Sequence, residues 1–383
     1  MSYIGFAVLL AIQWWISRGL TRRARRLKGV RLGAARAGIW LCDALAITCY
    51  GFTFSDLAAR LHISGPLPTV LGALALVYLI VAATVVAVYG ARKAARKHLG
   101  ADVDPARRRA LNLAGNLIIA SPFAAIGYGS LVQRTDFRIR EIDVPLAHLP
   151  PDLDGFRVLQ LSDIHLSPFL SESELARVID ASIELRPHLA VITGDLISRR
   201  GDPLDACIRQ LARIRTDAGF FGCMGNHERY AGVETYAAQA AAAVGITFLR
   251  GRSRQLRVGR ATLNLAGVDY QSLAGRQSYL RGAERLLVPG ACNVLLSHNP
   301  DVFPVAARQG WNFVLAGHTH GGQVTVEILD QSINPARFFT PYVYGLYRAG
   351  PAAAYVTRGI GTIGLPTRIG APPESSVLRL RKA

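Results

Sequence analysis

Cysteine is scarce and scattered: five in 383 residues, at Cys42, Cys49, Cys207, Cys223 and Cys292, with no CxxC pair. That spacing excludes a disulfide framework and a thiolate metal site, and leaves buried, inert thiols as the expectation. Acids are equally thin at the N-terminal end. Residues 1–135 carry 17 of the 44 lysines and arginines but only four acids, Asp43, Asp56, Asp102 and Asp104, a net of +13. The other 248 residues hold 27 basic and 22 acidic side chains, a net of only +5. No zinc-finger, RNP-like or basic-zipper pattern, no internal repeat and no low-complexity tract is present. The basic excess therefore reads as a setter of membrane topology, and no nucleic-acid binding is expected.

Charge is also missing from long stretches. From Leu61 to Ala91 there is no Asp, Glu, Lys or Arg, which is enough chain to cross a hydrocarbon core ~30 Å thick. Ala110 to Gln133 is a second uncharged stretch, carrying Asn112, Asn116 and Pro122. Ser2 to Ser17 is apolar but short, with the interfacial pair Trp14-Trp15, and Gly38 to Ser55 holds Asp43 in an otherwise apolar run. About four transmembrane helices are expected, near 2–17, 38–55, 67–90 and 110–132, in a transmembrane region over 1–135. The alternative for each is a helix buried in a soluble core. No positive charge precedes Arg18, which argues against a cleaved signal peptide. The loops TRRARRLKGVRLGAAR and ARKAARKHLGADVDPARRR are strongly basic, and between the second and third segments only Arg60 intervenes. The positive-inside rule puts both basic loops in the cytoplasm and everything after Gln133 outside. RRRAL, before the fourth segment, resembles a degenerate twin-arginine export signal and points the same way.

After Asp136 the texture changes. RVLQLSD, LAVITGD, FFGCMGN, NVLLSHN and FVLAGHT each read as a buried strand running into polar residues. Between the first two, SESELARVIDASIELRP has helical spacing and a capping-box signature, Ser171 with Glu174. Strand–helix alternation implies an α/β domain over 136–383, with its chemistry at the carboxyl ends of the strands.

Polar clusters stand at those ends in order: SDIH (Ser162–His165), TGDL (Thr193–Leu196), GNHE (Gly225–Glu228), SHNP (Ser297–Pro300) and GHTH (Gly317–His320). Taken singly, most pass for ordinary turns or satisfied core histidines. Together they collect His165, His227, His298, His318 and His320, five of the nine histidines, which chance placement does not give. Carboxylates and imidazoles without thiolates suit Mn, Fe or Zn. A shared carboxylate can hold two such ions, about 3.5–4 Å apart, for metal-assisted hydrolysis. Gly194, Gly225, Gly317, Gly321 and Gly322 allow tight turns and close backbone approach to a bulky anion, for which the last two would leave room.

The order D-x-H, G-D, G-N-H-E, H, G-H-x-H resembles the calcineurin-like metallophosphoesterase superfamily over residues 136–383. LPPDLDGFRVLQLSDIHLS, GHTHGGQ and TRGIGTIGLPTRIGAPPE resemble its membrane-associated bacterial branch, related to twin-arginine-exported phosphodiesterases. The resemblance implies a four-layer α/β/β/α sandwich with two divalent metal ions. It assigns Asp163, His165 and His320 to one ion, Asn226, His298 and His318 to the other, and Asp195 as the bridge. His227 matches the family's non-ligand histidine, which protonates the leaving oxygen or stabilises the transferring phosphoryl group; Glu228 beside it is a candidate partner.

The reaction implied is attack of metal-activated hydroxide on a phosphoester, expected to be a phosphodiester of a lipid or the cell envelope at a bacterial inner membrane. The bond type, monoester, diester or pyrophosphate, stays open. One rival from the same superfamily is pyrophosphate cleavage of UDP-2,3-diacylglucosamine in lipid A synthesis, which needs a cytoplasmic domain. Another is a membrane sensor or scaffold without turnover. Phe338, Phe339, Tyr342, Tyr344 and Tyr347, with Arg337 and Arg348, follow the last histidine cluster. They read either as a loop packed on the sheet or as a lipid-facing lid bordering the site.

Overall fold

Long uncharged runs become four helices, α1 (Tyr3–Ala24), α2 (Gly29–Phe54), α3 (Leu67–His98) and α4 (Pro105–Leu131). The computed structural model describes residues 3–54, 61, 63, 65–98, 104–328 and 331–383. It divides into two compact units, Met1–Tyr128 and Gly129–Ala383. The helices outrun the apolar stretches that announce them. Arg18, Arg22 and Arg23 lie inside α1, and α2 begins at Gly29, ahead of Gly38. Asp104 accepts a hydrogen bond from the Arg107 amide at 3.2 Å and, with Pro105 behind it, starts α4. Among the described residues three helical stretches are long and apolar enough to cross a membrane, Gly29–Phe52, Leu67–Ala95 and Pro105–Thr135. The uncharged part of α1 ends at Ser17, short of the ~20 residues a span needs.

Within this unit α1, α2 and α3 pack through Ile16, Ala46, Cys49, Tyr50, Ala75, Leu79 and Ala82. Asp43 is absorbed by side chains of α1: the Gln13 amide and the Ser17 hydroxyl each donate to its Oδ1 at 2.6 Å. Tyr50 in turn donates to Gln13 Oε1 at 3.1 Å. Cys49 is buried as expected, but Cys42, two turns earlier, is exposed.

The second unit is α/β with two mixed six-stranded sheets. The first runs β1 (Arg138–Leu146), β14 (Glu374–Lys382), β2 (Arg157–Leu161), β3 (Leu189–Ile192), β4 (Phe220–Gly222), β5 (Ile246–Phe248). Only the β14–β2 pair in it is antiparallel. Apart from a two-stranded hairpin, β10 (Val326–Ile328) and β11 (Gln331–Ile333), the second runs β12 (Gly345–Ala349), β13 (Ala352–Val356), β9 (Phe313–Ala316), β8 (Cys292–Leu296), β7 (Ala261–Gly267), β6 (Arg252–Val258). Its central pairs are parallel and its edges antiparallel. Alternation along each strand divides the core. Val158, Leu189, Val191 and Phe221 from the first sheet share one apolar cluster with Leu263, Leu265, Val294, Leu315 and Tyr355 from the second. Leu159, Leu161, Ala190 and Ile192, pointing the other way, pack on α5 (Glu172–Glu184), α6 (Leu204–Leu211) and α8 (Glu234–Ala243). The outer face of the second sheet meets α9 (Phe303–Gln309) through Phe303 and Ala306.

Ser171 caps α5 as its spacing predicts: its Oγ accepts from the Glu174 amide at 3.2 Å, and Glu174 Oε2 accepts from the Ser171 amide at 2.7 Å. What matters for chemistry is the geometry of the parallel strands. β2, β3, β4, β8 and β9 are fully buried save the first residue of β2. Each ends two to four residues before the first ligand candidate of its polar cluster, so all five turns leave the sheets in one direction.

Candidate metal centre

The turns after β2, β3 and β4 are laced together by backbone before any side chain is considered. The Asp163 amide donates to Gly194 O and the His165 amide to Asp195 O, both at 3.0 Å. The short helix α7 (Asn226–Ala231) begins at the next turn, and the His227 amide donates to Asp195 Oδ1 at 2.9 Å. From the second sheet, the His318 amide donates to both oxygens of Asp163 at 3.0 and 3.1 Å. Among the described residues nine non-glycine positions have positive φ, and five of them are Asp163, His165, Asp195, His318 and His320. That conformation costs about 1 kcal/mol or more per residue and persists only where surrounding structure imposes it. Here it turns five side chains toward one point.

The convergence is tight. Ligand atoms of Asp163, His165 and His320 fall within 4.8 Å of one another, as do those of Asp195, His298 and His318. His320 Nε2 stands 3.2 Å from His165 Nε2 and 3.4 Å from Asp163 Oδ1. His298 Nε2 stands 3.0 Å from Asp195 Oδ2, 3.1 Å from Asn226 Oδ1 and 3.1 Å from His318 Nδ1. His165 Nε2 reaches the same Asp195 Oδ2 at 3.6 Å. The eight residues singled out from the sequence, His227 included, therefore occupy one site, and Asp195 touches both groups.

Burial decides the protonation of this set. It pushes the imidazoles of His165 and His318 down to about 3, aided by His227 and His298 respectively, and that of His320 well below its usual value. These rings are neutral near pH 7 and present lone pairs, the form that ligates a cation. Burial also pulls His298 down, but the Asp195 carboxylate outweighs it and lifts the imidazole to about 10. Burial raises Asp195 too, yet His298 and His227 hold it well below the carboxylate range. Burial, opposed by His298, lifts Asp163 to about 6. Without a cation, the site thus borrows the His298 proton as its counter-charge.

The outward nitrogens are tied as well. His298 Nδ1 donates to Thr193 O at 2.6 Å and His165 Nδ1 meets Ser198 Oγ at 3.2 Å. Such outer bonds fix the ring orientation of metal-ligating histidines. The donor set, with no thiolate and with imidazoles oriented from behind, fits divalent ions.

Two expectations need correction. Glu228 does not pair with His227. Adjacent helical residues point about 100° apart, so the Glu228 carboxylate turns inward and accepts from the amides of Asp195, Leu196 and Gly225 at 3.0, 2.7 and 2.8 Å. His227 instead donates from Nδ1 to Ser198 O at 2.5 Å, and its ring meets His165 edge-on at 4.7 Å between centroids. Nor do Gly321 and Gly322 open onto space for a phosphate. A Cβ on Gly321 would lie 2.6 Å from Arg358 Cγ, and one on Gly322 2.0 Å from Asn334 Oδ1. Gly225 serves the carboxylate in the same way, since a Cβ there would lie 2.1 Å from Asp195 Oδ1.

Sequence reasoning also missed residues. Arg368 is fully buried and donates to the carbonyls of Arg358, Gly359, Gly361, Ala371 and His320. Burial draws its guanidinium down to about 10, while Asp163 and Glu374 favour the charge. The available signal was an arginine set among glycines and apolar residues in the segment TRGIGTIGLPTRIGAPPE. Tyr270 lies against His298 and His318, with centroids 6.1 and 5.6 Å away; nothing in its sequence context marked it. The aromatic segment after the histidines splits. Tyr342 packs on Phe303 and Tyr347, and Tyr344 on Tyr355, whereas Phe338 and Phe339 are exposed.

Residues 156–322 match the family model described as calcineurin-like phosphoesterase. The chain is 31% identical to "Transmembrane protein with metallophosphoesterase domain" of Danio rerio, over 70% of this chain and 62% of that relative. It is 30% identical to "Uncharacterized metallophosphoesterase YkuE" of Bacillus subtilis, over 67% of this chain and 89% of the relative. To "Phosphodiesterase YaeI" of Escherichia coli it is 30% identical, over 61% of this chain and 86% of that one.

Proposed function

The chain belongs to the calcineurin-like metallophosphoesterase family, whose members are metal-dependent phosphoester hydrolases, and on that footing we propose that it is a membrane-anchored dimetal phosphodiesterase acting on a lipid or envelope substrate. The observation that carries this reading is the meeting of Asp163, His165 and His320 with Asp195, His298 and His318 at one carboxylate, Asp195. In this reading Asp163, His165 and His320 would hold one divalent ion, Asn226, His298 and His318 the other, and Asp195 would serve both. Two ions bound there supply Lewis acidity and a water of lowered pKa for in-line displacement.

The protein's own groups do the rest. His227 is fixed through Nδ1 on the Ser198 carbonyl, so Nε2 is the ring atom that exchanges a proton with the leaving oxygen. Glu228, locked onto three amides, holds the Asp195 turn against α7. Residues 1–135 form the anchor and 136–383 the catalytic domain, with the two sheets and their outer helices as four layers. The basic loops on either side of α2–α3 favour a domain outside the cytoplasmic membrane.

The test is hydrolysis of bis(p-nitrophenyl) phosphate by the purified full-length protein, with Mn, Fe, Zn or a chelator. Metal-restored turnover is expected, faster on the diester than on p-nitrophenyl phosphate. No turnover with any ion would refute the assignment.

A further inference from the structure

The two exposed phenylalanines are not loose ornaments of a loop. Phe338 is 86% exposed and Phe339 74%, the most exposed aromatic side chains of the second unit. They cap a single 3-10 turn, Pro335–Phe338, that is pinned to the metal centre at both ends. On the leading side Asn334, itself buried, accepts from the Ala336 amide at 2.9 Å. The same side chain donates to Gly321 O at 3.0 Å and Thr325 Oγ1 at 2.8 Å, fastening the turn beside His320. On the trailing side Thr340 donates to Asp301 Oδ1 at 2.5 Å, three residues beyond His298. Backbone bonds from Phe339 and Thr340 to Ala336 O, at 2.9 and 3.0 Å, close the knuckle. Its two anchors are therefore the turns that carry His298 and His320.

Holding two aromatic rings in water on a braced turn costs free energy that a packed loop would avoid. The neighbouring tyrosines show the segment can pack: Tyr342, Tyr344 and Tyr347 all find ring partners. The charge around the knuckle points to one kind of partner. From Gln331 to Gly350 there is no acid, and Arg337, exposed beside Phe338, and Arg348 are the charged residues. Aromatic rings beside an arginine match the boundary between acyl chains and anionic headgroups. The same chain holds three helical stretches able to cross a membrane, so a bilayer is present at high effective concentration.

We propose that Phe338 and Phe339, with Arg337, form a lipid-surface knuckle that inserts at the acyl–headgroup boundary and feeds the apolar part of a phosphoester lipid toward the metal centre. The proposal rests on the phosphoesterase reading above and names its substrate class as an amphiphile. Its occupant is a lipid surface; a second copy of the chain or a protein partner would be a contrary result.

Two measurements on the full-length protein test it. The first compares p-nitrophenyl methyl phosphate with p-nitrophenyl hexadecyl phosphate in detergent micelles, which share a leaving group and differ in the alkyl chain. The F338S/F339S double variant should keep kcat/KM on the methyl ester within about twofold. On the hexadecyl ester it should lose about tenfold or more, through KM. Equal loss on both esters, or none on either, overturns the proposal. The second uses F338W in nanodiscs containing anionic lipid brominated along its acyl chains, read as the emission difference from the unsubstituted protein. Quenching of the added tryptophan supports insertion. An unquenched signal, or one that changes only with protein concentration, overturns it in favour of a protein contact. If the unsubstituted protein hydrolyses neither ester, the phosphoesterase reading fails, and the quenching still decides the surface.

Discussion

The two units solve the burial of polar groups in opposite ways. In the helical unit Trp40, Leu41, Leu74 and Leu117 are exposed, and a small network around Asp43, Gln13 and Tyr50 is drawn inward. In the sheet unit the large apolar side chains are mostly inside, yet Asp163, His165, Asp195, His298 and His320 are buried with them. The first pattern suits a chain whose surface faces hydrocarbon, where interhelical polar contacts act as glue. The second suits a chain that spends folding energy to hold charge out of water, which is reasonable only if a ligand repays it. One polar network closes on itself; the other is left with lone pairs pointing at a common centre.

That contrast can be broken most forcefully at the shared carboxylate. Asp195→Asn should lower Mn-dependent hydrolysis of an aryl phosphodiester by more than about a hundredfold, beyond the loss typical of a supporting partner; retained turnover would sink the bridging role. His227→Ala should cost about a hundredfold in kcat while leaving metal content unchanged by elemental analysis. If metal is lost as well, His227 is a ligand and not a proton carrier. Arg368→Met leaves Asp163 and Glu374 without their cation and five carbonyls without a donor, so we expect a stability loss of about 3 kcal/mol by denaturant titration. An unchanged midpoint would show the guanidinium to be dispensable.

Proton release sharpens the comparison further. His298 has its pKa raised from 6.5 to about 10, so its pairing with Asp195 stabilises the metal-free protein fully below about pH 6.5 and is lost as pH rises toward 10. Metal binding near pH 7 must expel that proton, about one per site, and affinity should climb with pH over the same window. Calorimetry in two buffers of different ionisation enthalpy measures it; no buffer dependence would contradict the assigned protonation. The smallest effect belongs to the helical unit. Asp43→Leu should shift stability in detergent by only about 1 kcal/mol and leave phosphodiester turnover unaltered, since its bonds are confined to α1 and α2.

Much of the site was legible because its residues are local to strand ends. A run such as LAVITGD announces both the buried strand and the polar turn that follows it, and the order of the five clusters, through its resemblance to the metallophosphoesterase motifs, pointed to Asp163, His165, Asp195, Asn226, His298, His318 and His320, which the structure brings together. The role of Glu228 was misread because adjacency in sequence is not adjacency on a helix. Gly321 and Gly322 were misread because bare backbone can make room for Asn334 and Arg358 as readily as for a ligand. Helix ends were blurred for a related reason: Arg18, Arg22 and Arg23 break the apolar run without breaking the helix.

The sequence by itself determined the residue types, their order along the chain and the uncharged lengths, because hydropathy and motif spacing are local properties. Only the tertiary structure decided that five ligand candidates adopt left-handed backbone, that Arg368 is held on five carbonyls, and that Phe338 and Phe339 stand exposed while three tyrosines pack. Those outcomes depend on contacts between segments far apart in the chain, from Asp163 to His318 and from Thr340 to Asp301, and no local pattern records which neighbour a folded side chain will meet.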